Sequence, residues 1–209
     1  MNQIYFASRI ILGKRTFFFP LLLLTLVITL WFWRGAISGR GGIPILGRFE
    51  IPVEPFFQDD PRWNQEQLGT SNDTIGSAGC ALSAAAMVLR FYGVDIDPKK
   101  LNDYLIEHNG YEREAWIKWE VAATFPPNKA IHRYEDYPSY GLIDWNLLWG
   151  NPVIIRIRRP TGKTHFLLLV GKQGFDYLTL DPAEKGRSGV YRFYELGTPI
   201  EALRFYQKK

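Results

Sequence analysis

Residues 80–93, CALSAAAMVLRFYG, decide the fold. Ala, Leu and Met are strong helix formers, and Gly93 is a residue type that ends helices. The pattern predicts a helix over these residues. The stretch before it, GTSNDTIGSAG (residues 69–79), is small and polar and reads as a loop. Ser77 is the expected N-cap, which places Cys80 in the first helical turn. A thiol gains there from free backbone N–H groups and the positive end of the helix dipole, which stabilise a thiolate. A lone cysteine on an apolar helix is equally a packing residue, so its meaning depends on a partner elsewhere.

Downstream, Asp97-Pro98 opens a second helix, KKLNDYLIEH, closed by Asn109-Gly110. Residues 112–124 carry Trp116, Trp119 and Ala123 at helical spacing and are expected as a third helix, stopped by Pro126-Pro127. GLIDWNLLWG (residues 141–150) reads as a short helix between glycines. From Pro152 the texture changes. VIIRIRR alternates, and HFLLLVGK, FDYLTLD and GVYRFYEL follow as strands, with turns at Thr161-Gly162-Lys163, Gln173-Gly174 and Lys185-Gly186. Helices followed by an antiparallel meander make an α+β domain.

His165 begins an apolar strand and Asp181 ends the next one. A hairpin joining 165–171 to 175–181 brings both to the same end of the sheet. Asp181 would then accept one imidazole N–H and fix the tautomer, as the third member of a triad does. His108 and His132 stand in polar surroundings and read as surface residues. Trp63, Trp116, Trp119, Trp145 and Trp149 are expected in the core, the usual place for large aromatics.

The run AGCALSAAAMVLRFYGVDIDPKKLNDYL resembles the first motif of the C39-like cysteine peptidase family. NPVIIRI, THFLLLVGK and FDYLTLDP are similar to its second motif, and QDDPRW to its leading Gln-x-Asp-Pro-x-Trp segment. These stretches cover most of residues 51–182. The resemblance implies a papain-like fold, with a helical part carrying the cysteine packed on an antiparallel sheet carrying His and Asp. It implies Cys80 as nucleophile, His165 as general base and later acid, Asp181 as the orienting acid, and Gln58 as a donor to the oxyanion. It also implies a peptide or amide substrate. An acyltransferase using the same thioester and a catalytically silent binding module on the same fold are the competing classes. The sequence has no HExxH motif and no dense His/Cys cluster. No metal and no cofactor is therefore expected.

Charge separates the chain into two regions. Residues 1–48 contain Arg9, Lys14, Arg15, Arg34, Arg40 and Arg48 and no acid, so they carry +6 of a total of +4. The remainder is at −2, which removes the motive for a nucleic-acid partner. One cysteine in 209 residues excludes an internal disulfide framework and a thiolate zinc cluster. Within the basic region, FFFPLLLLTLVITLWFW (residues 17–33) holds no charge and is flanked by Lys14-Arg15 and Arg34. It approaches the roughly 20 apolar residues needed to cross a bilayer, and Trp31 and Trp33 suit an interface.

The expected organisation is a basic segment (1–15), a transmembrane helix or uncleaved signal anchor (16–34), a Gly-rich flexible linker (35–48) and a peptidase domain (49–209). Ala36-Ile37-Ser38 offers a cleavage pattern, the signal-peptide alternative. The chain is thus expected to be a single-pass membrane protein with its domain on the extracytoplasmic side.

Overall fold

The computed structural model describes residues 20, 22–26, 35–113, 115–183 and 189–209. It divides into two units, residues 1–35 and 36–209. Most of the expected membrane span, 16–34, lies outside the described residues. Within it, residues 22–26 are helical, and Leu22, Leu23, Leu24 and Leu26 are each more than half exposed. Among the described residues no helix is long and apolar enough to cross a membrane.

The larger unit begins with β1 (Arg40–Glu50). The helices α1 (Ile75–Ala78), α2 (Cys80–Phe91) and α3 (Pro98–Glu107) follow. Next come β2 (Tyr111–Glu112), β3 (Trp116–Ile117), α4 (Trp119–Ala123), β4 (Ala130–Asp136) and α5 (Tyr140–Leu148). β5 (Val153–Arg158), β6 (Thr164–Leu180), β7 (Tyr191–Arg192) and β8 (Ile200–Lys208) complete the chain. One mixed-order antiparallel sheet runs β1-β6-β5-β8-β4, with β7 also on β6. The α+β expectation of helices packed on an antiparallel sheet matches this architecture.

β6 is not straight. Extended, 17 residues span about 55 Å, yet the Thr179 hydroxyl donates to Leu168 O at 3.2 Å. The strand doubles back at Gly174, whose φ of +59° suits glycine. It is the hairpin expected from Gln173-Gly174. Its first arm pairs with β5, Val153 opposite Leu169 through Arg158 opposite Thr164.

The sheet is covered on both faces. Ile154, Leu168, Val170 and Leu180 pack with α2, α3 and α4. Val153, Ile155, Leu167 and Leu169, the alternate residues, pack with Ile143 and Leu147 of α5. α2 fits its place because Leu82 and Ala84 to Leu89 are all buried, the alanines letting the helix approach the sheet closely. It ends in a Schellman motif: Val94 N–H donates to Leu89 O and Gly93 N–H to Arg90 O. α3 is capped as its sequence suggests, by the Asp97 carboxylate accepting from Lys100 N–H at 2.8 Å.

Several expectations are corrected. Residues 35–48 are not a free linker: Arg40–Glu50 is β1, bulged twice where its glycines and proline break the ladder. Its pinning is tertiary. Ile43 N–H donates to the buried Asp144 carboxylate at 2.6 Å, and Arg40 pairs with Asp176 at 2.7 Å. At Gly42 (φ +69°) a Cβ would run into Asp144, so glycine is required there. Residues 112–124 are not one helix. Tyr111–Ile117 forms the β2–β3 hairpin and only Trp119–Ala123 is helical. The GVYRFYEL strand shrinks to Tyr191–Arg192, followed by a 3₁₀ turn, Phe193–Leu196, that buries Phe193. Trp63 and Trp119 are core residues, but Trp116, Trp145 and Trp149 are exposed.

Candidate active site

Cys80 is the first residue of α2 and is almost fully buried. The turn before it is built by α1, not by a Ser77 cap. Thr74 is the N-cap: its hydroxyl accepts from Ser77 N–H at 3.2 Å, and the Ser77 hydroxyl accepts from Thr74 N–H at 3.0 Å. Ser77 is thus the returning member of a capping box. Gly79 separates α1 from α2, and a Cβ there would approach Ile75 O to 2.5 Å. Glycine is what lets the chain pass so close to its own preceding turn and deliver Cys80 to a helix start.

His165 stands opposite Ile157 near the end of the β5–β6 ladder. Asp181 follows the last residue of β6. The doubling of β6 brings them together: His165 Nε2 lies 2.7 Å from Asp181 Oδ1, with both side chains buried. Cys80 is close enough to the same imidazole to help raise its pKa. With Nε2 held by Asp181, Nδ1 is the ring nitrogen left for sulfur. Burial pushes the His165 pKa down, but the hydrogen bonds and charges of Asp181 and Cys80 outweigh it and raise the pKa to about 9. For Asp181, burial pushes upward and is outweighed by its bond to His165, by the Ala183 N–H and by Arg159. Its pKa falls below the usual carboxylate value.

Three supports of Asp181 were not evident from sequence. Ala183 N–H donates to Oδ1 at 2.8 Å, the Tyr191 hydroxyl donates to Oδ2 at 3.4 Å, and the Arg159 guanidinium lies 3.8 Å from Oδ2. The Asp-Pro turn after the strand carries a signal for the first of these. The other two come from the turn after β5 and from β7.

Gln58 lies between the two halves of the site. Its backbone N–H donates to Pro182 O at 2.8 Å, beside Asp181. Its amide donates to Gly76 O at 2.7 Å, in the turn leading to Cys80. Its Oε1 is buried without a hydrogen-bond partner. A cavity of about 160 Å³ opens against His165 and Asp181, walled by Ile157, Pro160 and Leu196 and by the polar Arg159 and Thr198. Among the described residues no cluster of His, Cys, Asp and Glu is arranged to hold a metal ion.

His108 and His132 take no part in this site. His108 is exposed and bonds to Tyr104 O at 2.9 Å, while His132, on β4, bonds to Tyr134 O at 3.0 Å.

The sequence profile of the Peptidase_C39 like family matches residues 52–208. Among solved structures, one from Bacillus anthracis, assigned as a C39-like peptidase, is 16% identical. That likeness covers 72% of this chain and 93% of the other, with a TM-score of 0.45. No curated protein matches the chain.

Proposed function

The chain belongs to the Peptidase_C39 like family, and we propose that it is a membrane-anchored cysteine peptidase working through a Cys80 thioester. The observation that carries this reading is the 2.7 Å bond between His165 and Asp181, with Cys80 at a helix start on the same imidazole. The Cys80 sulfur attacks the scissile carbonyl carbon. Negative charge collects on the carbonyl oxygen near the start of α2, where unpaired N–H groups point. Gln58 supplies a side-chain donor to that oxygen, since Gly76 occupies only one of its amide hydrogens. The imidazolium of His165 gives its proton to the leaving amine. The neutral ring then takes a proton from water, whose oxygen attacks the thioester and releases the acid and the Cys80 thiol. Asp181 holds Nε2–H throughout, so Nδ1 handles the travelling proton.

This reading has a defined pH signature. The His165 pKa is raised, so its proton is retained through neutrality and lost as pH rises through about 9. Loss of the proton removes the general acid. Hydrolysis is therefore expected to be flat near pH 7 and to fall on the alkaline side with a midpoint near pH 9. Asp181→Asn removes the largest upward influence and should move that midpoint lower. Stability follows the same proton. The contribution is complete below the ordinary histidine value of 6.5 and is lost as pH rises through about 9. A rate profile whose alkaline limb ignores Asp181→Asn would remove His165 from the acid role.

The membrane reading rests on the apolar run 17–33 and on the turn within it. Leu22, Leu23, Leu24 and Leu26 point to different sides of the helix, and each is more than half exposed. An all-round apolar helix needs an apolar surrounding, which a bilayer supplies. The basic leading residues favour the domain on the extracytoplasmic side. Protease added outside intact cells should then degrade the domain. Full protection of the domain until the cells are opened would reverse the topology.

A further inference from the structure

α5 packs Ile143 and Leu147 under the sheet and turns a second apolar stripe outward. Trp145, Leu148 and Trp149 lie at helical spacing on that outer side and are 60%, 56% and 69% exposed. The two indole rings sit 5.6 Å apart and so form one surface. β1 extends it. Ile43 is 59% exposed and shares a shallow apolar depression with Leu148, and Leu46, at a bulge of β1, projects fully into solvent. The core is complete beneath these five side chains, so folding does not explain them. Exposed apolar side chains gathered on α5 and β1 in this way mark a contact surface.

We propose that this face of β1 and α5 lies in the interfacial layer of a lipid bilayer. The inference rests on the membrane reading above. Chain length selects the occupant. The apolar run ends at Trp33, and Ile37 is already fixed to β8 by two hydrogen bonds with Ile200, of 2.9 and 2.8 Å. Four residues span at most ~14 Å. If residues 16–34 enter a bilayer, the domain is tethered close to its surface, and β1, which carries Ile43 and Leu46, is the first element to follow the tether along the chain. So short a tether presents this face to lipid at a high effective concentration.

The composition agrees. Tryptophans with a ring in the acyl boundary and N–H among headgroups are the usual interfacial residues. Residues 40–48 contain Arg40 and Arg48 and no acid, so no carboxylate of β1 in that stretch must approach the headgroups. Both arginines already hold carboxylates, Asp176 and Glu50, so the apolar side chains supply the binding.

Docking by this face also orients the enzyme. α5 covers the sheet face opposite to α2, as the alternate burial of Val153 and Ile154 requires. The cysteine-bearing helix is then turned to the aqueous side.

The test uses the full chain with Cys80→Ser and a single new cysteine, at Leu46→Cys or, as control, at Glu107→Cys, an exposed position at the end of α3. Each is labelled with NBD and reconstituted in vesicles of phosphatidylcholine and phosphatidylglycerol (7:3). Flotation reads the anchor, and quenching by spin-labelled lipid reads the face. The expected result is flotation of both proteins, with blue-shifted, lipid-quenched emission at position 46 only. Flotation with an unquenched probe at 46 overturns this inference and leaves the anchor standing. A blue shift at 46 without lipid quenching also overturns it, since a second copy or another part of the chain then covers the face. A chain that does not float defeats both readings.

Discussion

Replacing Cys80 by alanine is expected to lower peptide hydrolysis on the order of 10⁴-fold or more. No other group on the site can form the acyl intermediate, so the covalent route closes. The fold should survive, because alanine keeps the helix start and removes only the sulfur from an almost buried position. The measurement is turnover of a mixed peptide library by the full chain, with circular dichroism as the folding control. His165→Ala should cost nearly as much, and the double variant little more, since the two act in one step. Gln58→Ala should cost less, about 10²–10³-fold and chiefly in kcat, the usual effect of deleting one oxyanion donor. Hydrolysis retained by Cys80→Ala would end the thioester mechanism. A silent binding module predicts the remaining pattern, in which no variant matters because the parent has no turnover.

Asp144→Ala is expected to be the most destabilising single change in the domain, by about 3–5 kcal/mol. Asp144 is buried and accepts from three directions: the buried Lys172 ammonium at 2.7 Å, the Tyr177 hydroxyl at 2.8 Å and the Ile43 amide at 2.6 Å. Alanine leaves a cation, a hydroxyl and an amide without their acceptor in a dry place. Denaturant unfolding of the full chain measures the loss. Adding Lys172→Met removes the stranded charge and should recover a large part of it. A loss below about 1 kcal/mol would mean that water replaces the carboxylate. The same variant should free β1 first, seen as faster hydrogen exchange at the Ile43 amide. The domain therefore needs residues 36–50, and a fragment beginning at residue 49 would lack the strand that Asp144 holds.

Local chemistry made part of this molecule legible before its coordinates. α2, α3 and α5 follow from helix formers bounded by Gly93, by Asp97-Pro98 and by a glycine at residue 150. The β6 hairpin follows from Gln173-Gly174 between apolar runs, and with it the meeting of His165 and Asp181. β1 was not legible. Its glycines and proline suit a linker, and it is extended because Asp144, Asp176 and the edge of β6 hold it. β4 and β8 also carried no clear period. In β8, Ala202, Leu203, Arg204, Phe205 and Tyr206 are buried one after another because the strand is central, between β5 and β4. A strand covered on both faces loses the alternation by which strands are read.

The sequence alone determined the residue types for the proposed thiol site, their order along the chain, the α+β class and the basic, acid-free character of residues 1–48. These depend on neighbours a few residues apart, within reach of a cap, a turn or a helical period. Tertiary structure alone decided that residues 40–50 are a strand, that Tyr191 and Arg159 support Asp181, that Gln58 bridges Gly76 and Pro182, and that Trp145 and Trp149 face outward. Each of these joins groups far apart in the chain. Which contacts form depends on what the packed sheet leaves unpaired or uncovered, and that exists only once the chain has folded.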